Sequence, residues 1–222
     1  MNFSISRSAP DGSWHKLERG EIKLDADFFA GFTRDLRNPV LWEKFQGYLK
    51  QKGRQQQEST SVPPVDGEAL FWEMMQISRT PDPYVFPALK KLKASGQFVI
   101  GALSNTVIFP DGHEYNTDNA VITSQFDVFV SSAHTGLRKP DPRVYELAIK
   151  EMNAAVRTKG IGEGLAPGDI VFLDDIGQNL KGAKQVGLRT IRVNLGKTQD
   201  AVKELEAITG LGLLEYGGNS KL

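Results

Sequence analysis

Hydrophobic positions change their rhythm partway along the chain. From Met1 to about Tyr84 they recur at helical spacing, in runs separated by breakers. Asp25 to Leu36 places Phe28, Phe29, Phe32 and Leu36 on one helical face. Asn38-Pro39 interrupts it, and Val40 to Lys50 resumes with Leu41, Phe45, Tyr48 and Leu49. Lys52 to Asp66 is polar and proline-containing, which predicts a mobile loop. Gly67 to Ile77 predicts one more short helix. From about Phe86 onward, short apolar runs alternate with helical segments. Strands are expected at Gln97–Leu103, Phe126–Ser131, Ile170–Leu173 and Thr190–Val193. Helices are expected at Pro87–Ser95, Pro142–Met152, Asn179–Val186 and Ala201–Ile208. Gly96 and Gly187 stand where helices should stop, and Pro140-Asp141-Pro142 where one should start. Strands that alternate with helices and lack a clean apolar–polar alternation imply a parallel sheet covered on both faces.

Composition excludes several classes. The 222 residues suffice for one domain and a smaller accessory region, with 40% hydrophobic and 24% charged residues. The 27 basic and 27 acidic side chains cancel, so no charge excess argues for a nucleic-acid partner. There is no cysteine, which removes disulfides and thiolate metal sites and fits a reducing compartment. The apolar runs are too short for a membrane span, and the N-terminus lacks the features of a signal peptide. A cytoplasmic protein is the resulting expectation. The oligomeric state is not legible.

In open parallel sheets, ligands bind beyond the carboxyl ends of the strands. Ser104, Asn105 and Thr106 follow the first apolar strand, and Asp174 and Asp175 follow the third. Arg138 and Lys139 lie between the second strand and its helix. Adjacent carboxylates can hold a hard divalent cation, or cap a helix. A hydroxyl beside an amide can orient phosphate oxygens, or form a local turn. Lys139 can neutralise anionic charge, or be a solvated surface lysine. Trp14, Phe28, Phe29, Trp42 and Trp72 can line an apolar pocket or simply form the core of the helical region. His15, His113 and His134 share no metal-ligand spacing, and His113 is expected in an exposed loop.

The order of these groups, with GLRKPDPRVYELA around Lys139 and FLDDIGQNLKGAKQVGLRTIRV around Asp174-Asp175, resembles the haloacid dehalogenase superfamily. Together with SWHKLERGEIKLDADFF, those segments are most similar to two phosphatase-like domains. One is the N-terminal domain of soluble epoxide hydrolases, and the other belongs to some acyl-CoA dehydrogenase-family proteins. The resemblance implies a Rossmann-like three-layer α/β/α parallel-sheet core over residues 85–222 and a helical cap over residues 1–84. It further implies hydrolysis of a small or lipid-like phosphate monoester with Mg2+. Asp175 would be the metal ligand and Asp174 its supporting carboxylate. Ser104 and Asn105 would bind phosphate, and Lys139 would be the catalytic cation.

That family's nucleophilic aspartate sits in an Asp-x-Asp motif after a first apolar strand, and no such segment precedes Trp14. Asp25-Ala26-Asp27 follows Glu-Ile-Lys-Leu and opens an amphipathic helix, so it is expected to cap that helix. The first core strand is therefore expected to be absent, leaving a gap in the sheet between the strands ending at Leu103 and Leu173. Met1 to Ser6 could replace it, since Phe3 and Ile5 alternate with polar residues. The simplest expectation is a natural protein that is longer at its N-terminus. The alternative is a fold-retaining, non-catalytic binding or regulatory protein. Dehalogenation of 2-haloacids would need the same missing aspartate, and epoxide opening belongs to a separate domain in the similar proteins.

Overall fold

A computed structural model describes residues 2–54, 61–116 and 120–215. Five helices come first: α1 (Asn2–Arg7), α2 (Ser13–Glu18), α3 (Ala26–Leu36), α4 (Pro39–Gln51) and α5 (Gly67–Ser78). Asp25 caps α3, accepting hydrogen bonds from the amides of Asp27 and Phe28. A cap of this type contributes about 1 kcal/mol. Asn38 caps α4 in the same way, with Pro39 preorganised behind it.

The aromatic residues of this region bury one another. Leu17, Leu24, Phe28, Phe32, Leu36 and Phe71 form the fully buried centre, with Trp14, Phe29 and Trp72 packed around it. The core role thus accounts for most of the aromatics considered above. Trp42 packs on Phe45 and lines a cavity of about 80 Å³. Phe3 and Ile5 do not form a strand. Phe3 instead sits 5.4 Å from the ring of Phe45 and 5.8 Å from that of Tyr48, so burial against α4 makes the segment helical. Residues 55–60 of the expected loop lie outside the described residues.

The second part alternates. It contains α6 (Val85–Ser95), β1 (Gly101–Ser104), α7 (Ala120–Thr123), β2 (Val128–Ser131), α8 (Ser132–Thr135), α9 (Pro142–Lys159), β3 (Val171–Asp174), α10 (Gly177–Gln185), β4 (Arg189–Arg192) and α11 (Thr198–Thr209). β1 and β2 are shorter than the apolar runs that announce them, whereas β3 and β4 keep the expected length and are displaced by one residue. Before β1 the Ile100 carbonyl accepts from the Asp127 and Val128 amides, and side chains add to this: the Ile100 amide donates to Asp127, and Lys159 donates to the Phe98 carbonyl. The helix expected to end at Met152 runs on to Lys159 and stops at Gly160, whose φ of 66° needs no Cβ. Asn153 is accommodated inside it by donating to the Ile149 carbonyl one turn back.

All strand pairing is parallel. β1 pairs with β2, and β3 with β4, in register Leu103↔Val130 and Leu173↔Ile191. No ladder joins β1 to β3 among the described residues, so the sheet is in two halves, as expected for a core without its first strand. One helix layer carries both halves. Helices α9 and α10 pack together, and Tyr145 of α9 sets its ring edge-on to Phe172 of β3 and donates its hydroxyl to the Asn179 carbonyl. Val130, Val144, Tyr145, Ala183 and Leu188 are the buried centre of that layer. On the other face α6 and α11 enclose Ile100, Val202 and Leu213. The residues of β1 and β3 stay mostly half-buried, so water can satisfy edge groups that a central strand would otherwise have to pair.

Candidate functional site

The polar residues picked out by the sequence stand at the carboxyl ends of β1 and β3 and in the loop before α9. Asn105 follows β1 directly. Its side-chain oxygen accepts from the Lys139 amide at 2.9 Å, and its side-chain nitrogen donates to the Lys139 carbonyl at 3.3 Å. Both backbone groups of Lys139 are therefore fixed by one amide. The Lys139 ammonium then reaches Asp174, at the end of β3, at 2.7 Å. These side chains are only 11% and 6% exposed. The ammonium also lies 5.3 Å from the centroid of Phe172. A chain of bonds thus runs from β1 through Lys139 to β3, across the break in the sheet.

Asp174 is saturated. Besides Lys139 it accepts from the Ile176 amide at 2.8 Å and from the Asn179 side chain at 3.0 and 3.2 Å. Asp175 is exposed and Ser104 half-buried, and the side chains of both are without hydrogen-bond partners among the described residues. The structure therefore brings Asn105, Lys139 and Asp174 into direct contact. Ser104 and Asp175 are next to them in the chain. The loop can come this close because Gly182 of α10 has no side chain. A Cβ there would stand 2.9 Å from the Pro140 carbonyl oxygen and 3.0 Å from the Tyr145 ring.

The donors suit a hard cation of modest demand. Mg2+ uses one or two carboxylates and keeps waters or substrate phosphate in its other positions. Asp175 offers a free carboxylate, whereas the oxygens of Asp174 are engaged by Lys139, Asn179 and a backbone amide. No group of three or more His, Asp or Glu side chains arranged for a metal occurs among the described residues. A fully protein-made cage is therefore not what this rim provides.

Three residues around the rim were not assigned to it from the sequence. Glu18 of α2 accepts from Arg138 at 2.7 and 2.8 Å, tying the N-terminal helices to the loop of Lys139. Arg138 is therefore neither a free surface cation nor an open site cation. Nothing in the spacing of residues 18 and 138 announces that pair. Asn179, which holds Asp174, lies in the quoted DDIGQN segment, five positions on, and could have been singled out. His15 is only 3% exposed, with its Nδ1 unpaired among the described residues. Burial first, then the charges of Arg138 and Arg19, lower its pKa to about 4, against the opposing pull of Asp35. His113 departs from expectation too. It is half-buried and packs near-parallel to both Trp72, at 5.1 Å, and Phe109, at 5.2 Å, in a cluster where those two rings are themselves 6.4 Å apart. His134 is exposed and bonds Ser131 through Nδ1.

Comparison with known proteins places this geometry in context. A family profile for haloacid dehalogenase-like hydrolases matches residues 10–187. The chain is 34% identical to mouse acyl-CoA dehydrogenase family member 10 over 93% of its own length, covering 16% of that protein. It is 37% identical to pig bifunctional epoxide hydrolase 2 over 97% of its length, covering 34% of that protein. The chain thus spans about a third or less of these relatives. Among solved structures, a HAD-like family hydrolase of Porphyromonas gingivalis superposes with a TM-score of 0.50. The two are 17% identical, and the match covers 92% of this chain and 89% of the other, which supports the Rossmann-like α/β fold.

Proposed function

The chain belongs to the haloacid dehalogenase-like hydrolase family, and on that premise we propose that its rim binds phosphate monoesters together with Mg2+. The observation that carries this reading is the Lys139–Asp174 pair at 2.7 Å, with Asn105 locking the lysine backbone from both sides. A cation held that rigidly beside free polar groups is preorganised for anion binding. Residues 1–84 act as the cap that selects the substrate, and residues 85–222 as the core. The substrate is a small or lipid-like phosphate monoester, met in the cytoplasm. No helix among the described residues is long and apolar enough to cross a membrane.

Each residue has a task in this reading. Lys139 neutralises phosphoryl charge. The Ser104 hydroxyl and the second amide proton of Asn105 orient phosphate oxygens. Asp175 holds Mg2+, with Asp174 supporting from behind. When bound, the ion adds charge neutralisation at the phosphoryl oxygens. Asp174 keeps the Lys139 ammonium aimed, and Asn179 keeps Asp174 aimed.

Turnover by the family's covalent route needs a carboxylate nucleophile. The candidate Asp25-Ala26-Asp27 is committed to the cap of α3. We therefore read these 222 residues as competent to bind phosphate and unable to cleave a monoester unaided. The test is a p-nitrophenyl phosphate assay with Mg2+, on this chain and on one extended by an apolar strand that ends in Asp-x-Asp. Turnover only in the extended form is the expected result. Inactivity of both forms would favour the fold-retaining binding protein instead. Turnover by the short chain would contradict the proposal.

A further inference from the structure

The outer side of β2 has no strand partner among the described residues, and it faces a groove of about 630 Å³ between this edge and α9. Bare edges are normally blunted by lysine, proline, a bulge or a covering element. Val128–Ser131 reads VFVS and has none of the first two. Phe129, at its centre, is 49% exposed. Asp127 introduces a charge beside the edge, but Lys93 and Lys159 both pair with it. The local balance is one positive charge in surplus. Along the groove, α9 presents Leu147, Glu151, Ala154, Ala155 and Thr158, which lie on one helical face. Glu151 has no ion pair among the described residues.

We propose that this groove is a self-association surface, on which a second copy of the chain adds its β2 antiparallel to the first about a twofold axis normal to the sheet. Strand and helix independently choose the same axis. Lys159, at the end of α9, is level with Asp127, because their side chains meet at 2.9 Å. Two residues up the strand is a rise of about 6.6 Å, which corresponds to about four residues back along the antiparallel helix. Phe129 is therefore level with Ala155. An axis through Phe129 pairs that ring with its copy on the face away from α9. The same axis lets the two α9 helices approach at the small residues Ala154 and Ala155. It also sets Glu151 of each copy opposite Lys159 of the other, since both stand four residues from Ala155. The unpaired carboxylate thereby meets the surplus positive charge, twice. Such self-complementarity is what an isologous interface requires.

The absence of cysteine makes the register directly readable. Opposed residues of an antiparallel pair have Cα atoms about 4.5–5.5 Å apart, within disulfide reach. Phe129→Cys is expected to give a disulfide-linked dimer under mild oxidation, whereas Val121→Cys, at another exposed position, is expected to remain monomeric on a non-reducing gel. Light scattering of the unmodified protein should report twice the mass of one chain at micromolar concentration. Ala154→Arg should raise the dimer dissociation constant at least about tenfold, with helix content unchanged by circular dichroism. A protein that stays monomeric throughout the concentration series would overturn the proposal. So would a dimer that is indifferent to Ala154→Arg and crosslinks as readily in the Val121→Cys variant as in the Phe129→Cys variant.

Discussion

Lys139→Met is expected to destabilise the protein by about 3–5 kcal/mol, because it strands a buried carboxylate. Asp174 is 6% exposed at its side chain, and Lys139 is the one cation that touches it among the described residues. The amide of Ile176 and the side chain of Asn179 remain as donors but bring no charge. The loss should belong to the isolated charge more than to the missing contact. A second substitution, Asp174→Asn, should therefore recover most of it. The double variant is expected to bind phosphate no better than the single one, since the cation is gone in both. Urea unfolding of the three proteins checks the first part, provided their denaturant slopes agree. If Lys139→Met costs less than about 1 kcal/mol, the pair is solvated and the rim is not preorganised.

A second large effect follows from His15. Its folded-state pKa of about 4 lies below the value of 6.5 expected for the unfolded chain, so the unfolded chain binds the proton more tightly. Stability is therefore full above about pH 6.5 and is lost as pH falls towards about 4. The total is roughly 3 kcal/mol, from about 1.36 kcal/mol per pH unit. Below about pH 4 this group takes nothing further. His15→Asn should remove that slope, and the difference between the two proteins isolates it from His113 and His134. Because Arg138 and Arg19 face the ring and Asp35 opposes them, Arg138→Gln should also raise the His15 pKa. Chemical denaturation at half-unit steps from about pH 4 to about pH 7.5 measures both. A wild-type curve parallel to that of His15→Asn would rule out the buried neutral imidazole.

The sequence made the alternating half of the fold legible because each local signal there agrees with the tertiary context. Gly96 and Gly187 stand with positive φ just past helix ends, and Asp141 and Pro142 start a helix. Strand ends were less legible. Residues 97–100 look like the rest of an apolar strand, but side chains distant in sequence take two of their backbone groups: Asp127 the Ile100 amide and Lys159 the Phe98 carbonyl. Phe3 and Ile5 alternate as a strand would, yet α4 offers Phe3 a ring-lined surface, and the Phe28–Phe32 cluster receives Ile5, both of which only the fold creates. Asn105 and Asp174 could be picked out because they stand at strand ends, and Lys139 because Pro140-Asp141-Pro142 marks a helix start directly behind it. Glu18, which holds Arg138 from 120 positions away, could not be read, because no local pattern encodes such a pair. Nor could the stacking of His113, which depends on Trp72 arriving from α5.

The most direct measurement is a titration of ¹⁵N-labelled protein with inorganic phosphate, with and without Mg2+, followed by amide chemical shifts. Saturable shifts are expected at Ser104, Asn105, Lys139 and Asp175, tightening when Mg2+ is present and lost in Lys139→Met. Phosphate that moves no amide at the ends of β1 and β3, or moves them equally in Lys139→Met, would contradict the proposed phosphate site.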